Sequence, residues 1–290
     1  MKIKPIHSGF FKLDGGAMFG VVPKTIWSKT NPPDENNLCT WAMRCLLVET
    51  GDHKILVDTG LGDKQSEKFF SFVEPHGDYS LEASLKKEGL GFEDITDVFL
   101  THLHFDHCGG AIKWKDEKQE ELVPTFPNAT YWCNERHWEW ATNPNAREKA
   151  SFLKENILPM KESGQLRFVD RENGFKEELF PGFSVLFVDG HTESQMLPVL
   201  NYNDKTIVYT ADLIPSAGHI PLPYVMGFDV RPLHTLEEKE KFLDEAEKNN
   251  YILFFEHDPV NECAKVKRTE KGVRLDETFA WKEVEEVESL

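Results

Sequence analysis

The stretch Thr101-His102-Leu103-His104-Phe105-Asp106-His107-Cys108-Gly109-Gly110 decides how the rest of the chain is read. Its side chains His102, His104, Asp106 and His107 all bind metal ions, since neutral imidazole and carboxylate both suit zinc and its neighbours. The run Asp97-Val98-Phe99-Leu100 precedes it and two glycines close it, so the segment reads as a buried strand emptying into a loop. Alternation along a strand puts His102 and His104 on one side. A turn after Phe105 brings Asp106 and His107 back toward the same space. Left unpaired at the end of a buried strand, these polar groups would cost stability, so a metal site is preferred over a loop that happens to be His-rich. Cys108 is read as a small packed side chain.

Outward from this stretch the same layout recurs. Residues 2–13 read as a strand and Asp14-Gly15-Gly16 as a turn; Ala17–Asn37 reads as a loop rich in apolar residues. Thr40–Glu49 and His53–Asp58 form a hairpin through Thr50-Gly51-Asp52. A short helix carries Leu81 and Leu85, another strand covers Ala129–Cys133, and helices are expected over Asn134–Trp140 and Arg147–Leu158. Phe183–Val188 runs into Asp189-Gly190-His191, and the hairpin Met196–Leu200/Thr206–Tyr209 runs into Thr210-Ala211-Asp212. Thr235-Leu236-Glu237-Glu238 has the form of a capping box. Tyr251–Phe255 ends in Glu256-His257-Asp258. Five apolar strands thus each place polar residues just past their C-terminal ends: Asp58, the 102–107 cluster, His191, Asp212 and His257. Layered α/β folds put their sites at such ends, and the repetition points to one convergent site.

Composition narrows the function. The chain has 290 residues, 40% of them hydrophobic, and a formal net charge of −17. That is enough for a sizeable core, and the acidic field disfavours nucleic acid and anionic membrane as partners. The N-terminus lacks the apolar core of a signal peptide, and no run is long and apolar enough to span a bilayer. Five scattered cysteines, with no C-x-x-C, read as free thiols of a reducing cytoplasm.

The H-x-H-x-D-H motif, followed by separate His, Asp and His residues at strand ends, resembles the metallo-β-lactamase superfamily over roughly residues 1–265. That resemblance implies an α/β fold, a four-layer αβ/βα sandwich, here as one domain over 1–290 with a peripheral charged tail from about residue 266. The tail's Glu270-Lys271-Gly272 reads as a hairpin turn. The resemblance implies one metal site of His102, His104 and His191, a second of Asp106, His107 and His257, and Asp212 bridging them. Asp58 is implied to support the metal loop without being a ligand. The cofactor is two divalent ions, zinc first, with iron, manganese or cobalt as alternatives.

Within the superfamily, Leu13–Lys24 (L-D-G-G-A-M-F-G-V-V-P-K) and T-H-L-H-F-D-H resemble the quorum-quenching N-acyl homoserine lactonase group, near the methyl parathion hydrolase-like enzymes. Other branches fit less well. The β-lactamases of this fold lack an aspartate at the bridging position. Glyoxalase II has a basic C-terminal region, and the tRNA-processing nucleases hold a polyanion. The flavodiiron branch has a carboxylate at the position of His104 and a flavin domain. The expected function is therefore a cytoplasmic hydrolase of small-molecule lactones or esters, best matched to N-acyl homoserine lactones. A phosphotriesterase or arylesterase, or a glyoxalase II-like thioesterase, is the alternative. A non-enzymatic metal binder fits the ligand set less well, and a homodimer is in keeping with the reading. Asp106 is the expected proton shuttle. The expected pocket residues are Met18, Phe19, Trp27, Tyr224 and Phe228. Many members of the lactonase group carry a tyrosine three residues after the bridging aspartate. Here that position is Pro215, which has no hydroxyl and no N–H, and His219 is the candidate substitute donor.

Overall fold

The strand-and-turn rhythm becomes two mixed sheets that share one core. The computed structural model describes residues 1–286. In chain order the strands are β1 (Lys2–Asp14), β2 (Leu38–Thr50), β3 (His53–Val57), β4 (Asp97–Phe99), β5 (Ile112–Trp114), β6 (Leu122–Pro124), β7 (Thr130–Cys133), β8 (Leu166–Phe168), β9 (Phe175–Phe180), β10 (Phe183–Val188), β11 (Gln195–Tyr202), β12 (Lys205–Tyr209), β13 (Ile252–Phe254), β14 (Cys263–Thr269) and β15 (Gly272–Phe279). The helices are α1 (Gly15–Phe19), α2 (Lys24–Trp27), α3 (Glu67–Val73), α4 (Leu81–Lys87), α5 (Phe105–Cys108), α6 (Glu135–Thr142), α7 (Lys154–Glu162), α8 (Pro232–Lys248) and α9 (Trp281–Glu286). One sheet has the order β1-β2-β3-β4-β7-β8, the other β15-β14-β13-β12-β11-β10-β9, and β5-β6 is a separate small hairpin. The parallel pairs are β3/β4, β4/β7 and β7/β8 in the first sheet and β12/β13 in the second.

Period-two alternation builds the layers. In β2 and β3, Leu46, Val48, Ile55 and Val57 enter the core shared with Val185, Leu200, Ile207 and Leu253 of the other sheet. Their neighbours Cys45, Leu47 and Leu56 point the other way and pack with Leu85, Trp138 and Ile157 of α4, α6 and α7. Phe242, Leu243 and Ala246 of α8 join the core of the second sheet. Strands buried on both faces read as continuous apolar runs, which is why β2 carries so few polar residues. The result is an αβ/βα sandwich.

Several elements differ from the sequence reading. Ala17–Asn37 is not plain loop: α1 starts where the Asp14 carboxylate accepts from the Ala17 N–H at 2.7 Å, and α2 follows. The helix expected from Arg147 begins only at Lys154, because Asn145–Ser151 is taken up by turns. α8 starts with Pro232 in its first turn, three residues before the expected capping box. Proline is favoured there because its missing N–H has no partner in a first turn anyway. Thr235 then lies inside the helix, and Glu238 instead accepts from the backbone N–H groups of Asp189 and Gly190 at 2.7 and 2.9 Å.

The segment from about residue 266, expected as a peripheral charged tail with a hairpin turn at Glu270-Lys271-Gly272, does turn there, between β14 and β15, but both strands belong to the second sheet and are not peripheral. They pair in register through Val266↔Leu275 and Thr269↔Gly272. The charges face outward as cross-strand pairs such as Lys267–Asp276 at 2.8 Å, while Val273 and Trp281 are buried. The Trp281 indole N–H donates to the Ile3 carbonyl at 3.0 Å, joining the two ends of the chain. Residues 287–290 of the expected domain lie outside the described residues. No helix among the described residues is long and apolar enough to cross a membrane.

Candidate metal centre and its cavity

Five strands meet one rim. β3 leads into Asp58, β4 into residues 102–107, β10 into His191, β12 into Asp212 and β13 into His257. The turn after Phe105 is α5, a single helical turn with His104 at its N-cap, which brings Asp106 and His107 back toward His102 and His104. Backbone contact holds this loop. The Thr59 N–H and hydroxyl both donate to the His107 carbonyl, at 2.7 and 2.9 Å. The Gly110 N–H donates to the Gly60 carbonyl at 2.9 Å. A Cβ on Gly109 would lie 2.0 Å from the Leu61 carbonyl oxygen, and one on Gly110 2.3 Å from that of Thr59. The two glycines closing the motif are what allow this approach.

Two clusters of donor atoms result. In the first, His104 Nδ1 stands 3.0 Å from His102 Nε2 and 3.2 Å from His191 Nε2, and Asp212 Oδ2 is 3.1 Å from His191 Nε2. In the second, His107 Nε2 and His257 Nε2 are 3.1 Å apart, and Asp106 Oδ2 is 3.8 Å from each. Asp212 serves both: its Oδ1 is 3.2 Å from His257 Nε2 and its Oδ2 3.5 Å from His107 Nε2. The side chains of all seven are buried.

The outer nitrogen of each ring fixes its tautomer. Thr101 donates its hydroxyl to Asp58 Oδ2 at 2.7 Å, so its oxygen is left to accept from His102 Nδ1 at 3.1 Å. Glu148 lies 3.5 Å from His104 Nε2. Asp58 and Glu256 lie 3.1 and 3.0 Å from His107 Nδ1. Asp229 lies 2.8 Å from His191 Nδ1, and the Ala42 carbonyl 2.7 Å from His257 Nδ1. With the N–H groups turned outward, bare lone pairs face one another across the centre. They repel unless a cation lies between them. Zinc–nitrogen bonds of about 2.0–2.1 Å in a tetrahedron put two ligand atoms about 3.3 Å apart, close to the 3.0–3.2 Å seen here. Asp212 Oδ1 has no hydrogen-bond partner although buried. The donor set therefore fits two divalent ions.

Without a metal ion, protons are the other source of positive charge, and the two rings beside Asp212 are drawn toward holding one. Burial pulls the His191 and His257 rings down, but Asp212, joined by Asp229 and Glu256 respectively, outweighs it and lifts them to about 10 and about 9. Burial raises Asp212, yet His191, His257 and His107 hold it well below the carboxylate range. Burial and three neighbouring imidazoles push His102 well below its ordinary value. The carboxylates thus draw positive charge to the side of the centre between His191, Asp212 and His257, the charge that a metal ion would supply.

Glu256, Asp229, Glu148 and His137 were not anticipated. Glu256 had a signal, a carboxylate at the end of the apolar run Tyr251–Phe255, directly before His257. Asp229 and Glu148 lie in irregular segments that have no period to expose them. His137 accepts from the Leu103 N–H at 2.8 Å and faces the Glu193 carbonyl at 2.6 Å, so it holds the backbone between His102 and His104.

A cavity of about 340 Å³ opens over His104, Asp106, His191, Asp212 and His257. Leu13, Met18, Phe105, Met226 and Phe228 give it apolar walls. Of the expected pocket residues, Met18 and Phe228 therefore reach it. Phe19 and Trp27 do not: they are wholly buried and stacked on each other, ring centroids 5.3 Å apart. Tyr224 packs edge-on to Phe19 at 6.3 Å and does not line the cavity. His219 is also pinned away from it. Its Nε2 meets the Met18 carbonyl at 2.9 Å, its Nδ1 the Ser216 hydroxyl at 2.8 Å, and its ring stacks on Phe19 at 4.3 Å. Both nitrogens are engaged, so the structure gives His219 a packing role in place of the expected donor role. Cys108 is a packed side chain, its thiol 3.3 Å from the Leu103 carbonyl, and burial pushes its pKa up to about 12.

Comparison with known proteins agrees with this geometry. The family description "Metallo-beta-lactamase superfamily" matches residues 44–257. An N-acyl homoserine lactonase of Bacillus thuringiensis is 27% identical over 235 residues, 77% of this chain and 82% of that protein. One from Bacillus cereus is 26% identical over 244 residues, 80% and 86% of the two chains. Among solved structures, a probable metal-dependent hydrolase from Staphylococcus aureus superposes with a TM-score of 0.85 at 26% identity, covering 96% of both chains. AidC, a dizinc quorum-quenching lactonase in complex with its product, gives 0.74 at 23% identity, over 96% of this chain and 95% of that one. The fold, the buried donor set and the match over residues 44–257 show that the chain belongs to the metallo-β-lactamase superfamily, as a metal-dependent hydrolase.

Proposed function

We propose that the protein opens the ring of N-acyl homoserine lactones, using two zinc ions. The observation that carries this reading is the cavity, whose floor is the donor cluster and whose walls are apolar and sized for a small acyl chain. The lactonase names of the sequence relatives support it. His102, His104, His191 and Asp212 would hold one ion, and Asp106, His107, His257 and Asp212 the other. When bound, such ions bring the pKa of a coordinated water toward neutrality and polarise an ester carbonyl.

The chain's own residues do the rest. Asp58, Glu148, Glu256 and Asp229 orient the rings through their outer nitrogens, which typically governs affinity for the metal. The apolar walls hold the acyl chain and exclude water from it. Asp106 faces the cavity and takes the proton lost by the attacking water at a carboxylate oxygen. It then returns that proton to the ring oxygen as the acyl carbon–oxygen bond breaks, leaving a hydroxy acid. The test is a panel of N-acyl homoserine lactones, aryl esters, thioesters and phosphotriesters on zinc-loaded protein. The lactones are expected to give the highest kcat/KM, abolished by a chelator. A higher kcat/KM for any of the other classes would replace this reading, and no turnover at all would return the protein to a metal binder.

A further inference from the structure

The polar groups around the cavity are nearly all committed. His104, Asp106, His191, Asp212 and His257 belong to the donor clusters. The Glu148 carboxylate accepts from the Trp140 indole and the Asn145 amide, each at 2.7 Å, and its other oxygen faces His104. Arg147 commits one guanidinium nitrogen, Nη2, to the backbone carbonyls of Gly227 and Asp229. Ser151 is different. It lines the cavity, and its hydroxyl makes no hydrogen bond with any of the described residues.

The backbone of Ser151 is nevertheless fixed to the metal loop. Its carbonyl accepts from the Phe105 N–H at 3.0 Å, between His104 and Asp106 in sequence, and its own N–H donates to the Glu148 carbonyl at 2.8 Å. The next residue, Phe152, is buried with its ring 4.8 Å from that of His104. A serine whose backbone is held this firmly at the cavity wall, and whose hydroxyl is left without a partner among the described residues, is suited to contact substrate.

We infer that Ser151 binds the amide carbonyl of an N-acylated lactone and so selects for that substrate class. This rests on the lactonase reading above. In such a lactone the amide nitrogen sits on the carbon next to the ester carbonyl. With the ester at the donor cluster and the acyl chain along the apolar walls, the amide must be buried between them. Its carbonyl then needs a donor, because a buried acceptor left unpaired costs more than an ordinary hydrogen bond returns. The Ser151 hydroxyl supplies that donor.

The test compares zinc-loaded wild type with Ser151→Ala and Ser151→Thr on N-hexanoyl homoserine lactone and on an alkyl γ-lactone of matched length without an amide. In Ser151→Ala the ratio of kcat/KM for the acylated over the alkyl lactone is expected to fall about tenfold, chiefly through KM. Ser151→Thr, which keeps the hydroxyl, is expected to restore most of it. Calorimetric binding of the ring-opened product, N-hexanoyl homoserine, should weaken by a similar factor in Ser151→Ala with zinc content unchanged. An unaltered ratio and unaltered product affinity would overturn the assignment, as would wild type that opens only the alkyl lactone. Wild type that opens neither lactone overturns the lactonase reading itself, and this inference with it.

Discussion

At His107, two fully buried carboxylates meet one ring N–H. Asp58 also accepts from the Thr101 N–H at 2.8 Å and from the Thr101 hydroxyl at 2.7 Å, so several donors fix its position. Glu256 is less well supplied: burial pushes it up, His107 pulls it back and Asp58 pushes again, leaving it at about 8. The two are therefore not equivalent. Asp58→Asn is expected to weaken zinc affinity about 10–100-fold, in the range typical of lost outer partners, and Glu256→Gln distinctly less. Zinc titration against a competing chelator measures both. Equal effects would mean that the Thr101 contacts do not matter to His107, and no effect of Asp58→Asn would leave Asp58 a turn residue only.

At the scale of elements, the helix pair α1 and α2 divides its side chains between two tasks. Met18 reaches the cavity, while Phe19, Trp27 and His219 form a stacked group beneath it. Met18→Ala is expected to change KM for long acyl chains more than for short ones, alongside a loss of stability of about 2–5 kcal/mol because Met18 is also packed with Phe19 and Trp27. Phe19→Ala should destabilise the fold by about 3–5 kcal/mol with little change in chain-length preference. Steady-state kinetics with acyl chains of graded length, alongside denaturant unfolding, separates the two. This division was not legible in the sequence, because Ala17–Trp27 has no sustained period to assign its faces. The same holds for Asn145–Ser151, where turns replace the expected helix and place Ser151 at the cavity. The residues of the two donor clusters were legible for the opposite reason. Each follows an apolar run, and strand ends in a layered fold converge whatever the loops between them do.

Over the whole molecule, stability carries a pH signature from histidines buried outside the donor set. Burial drives the pKa of His219 down to about 3, against about 6.5 for an unfolded chain. The unfolded state therefore binds the extra proton first. The contribution to stability is present above pH 6.5 and is lost progressively as pH falls toward 3. At pH 5.5 the loss amounts to about 1.4 kcal/mol for one such ring. The difference in unfolding free energy between pH 7.5 and 5.5 should shrink by about that amount in His219→Asn. An unchanged difference would mean that His219 titrates normally and is not sealed by Phe19 and Met18.

The account as a whole turns on Asp212 joining two donor clusters into one centre that acts on a lactone. The most direct measurement is a zinc titration of metal-free protein, followed by hydrolysis of N-hexanoyl homoserine lactone and by elemental analysis, in wild type and in Asp212→Ala. The account predicts wild-type activity that rises to a plateau at about two equivalents of zinc per chain, one for the cluster of His102, His104, His191 and Asp212 and one for that of Asp106, His107 and His257. It predicts that Asp212→Ala loses zinc and activity together. A plateau at one equivalent with Asp212→Ala fully active, or activity that persists without metal, would contradict it.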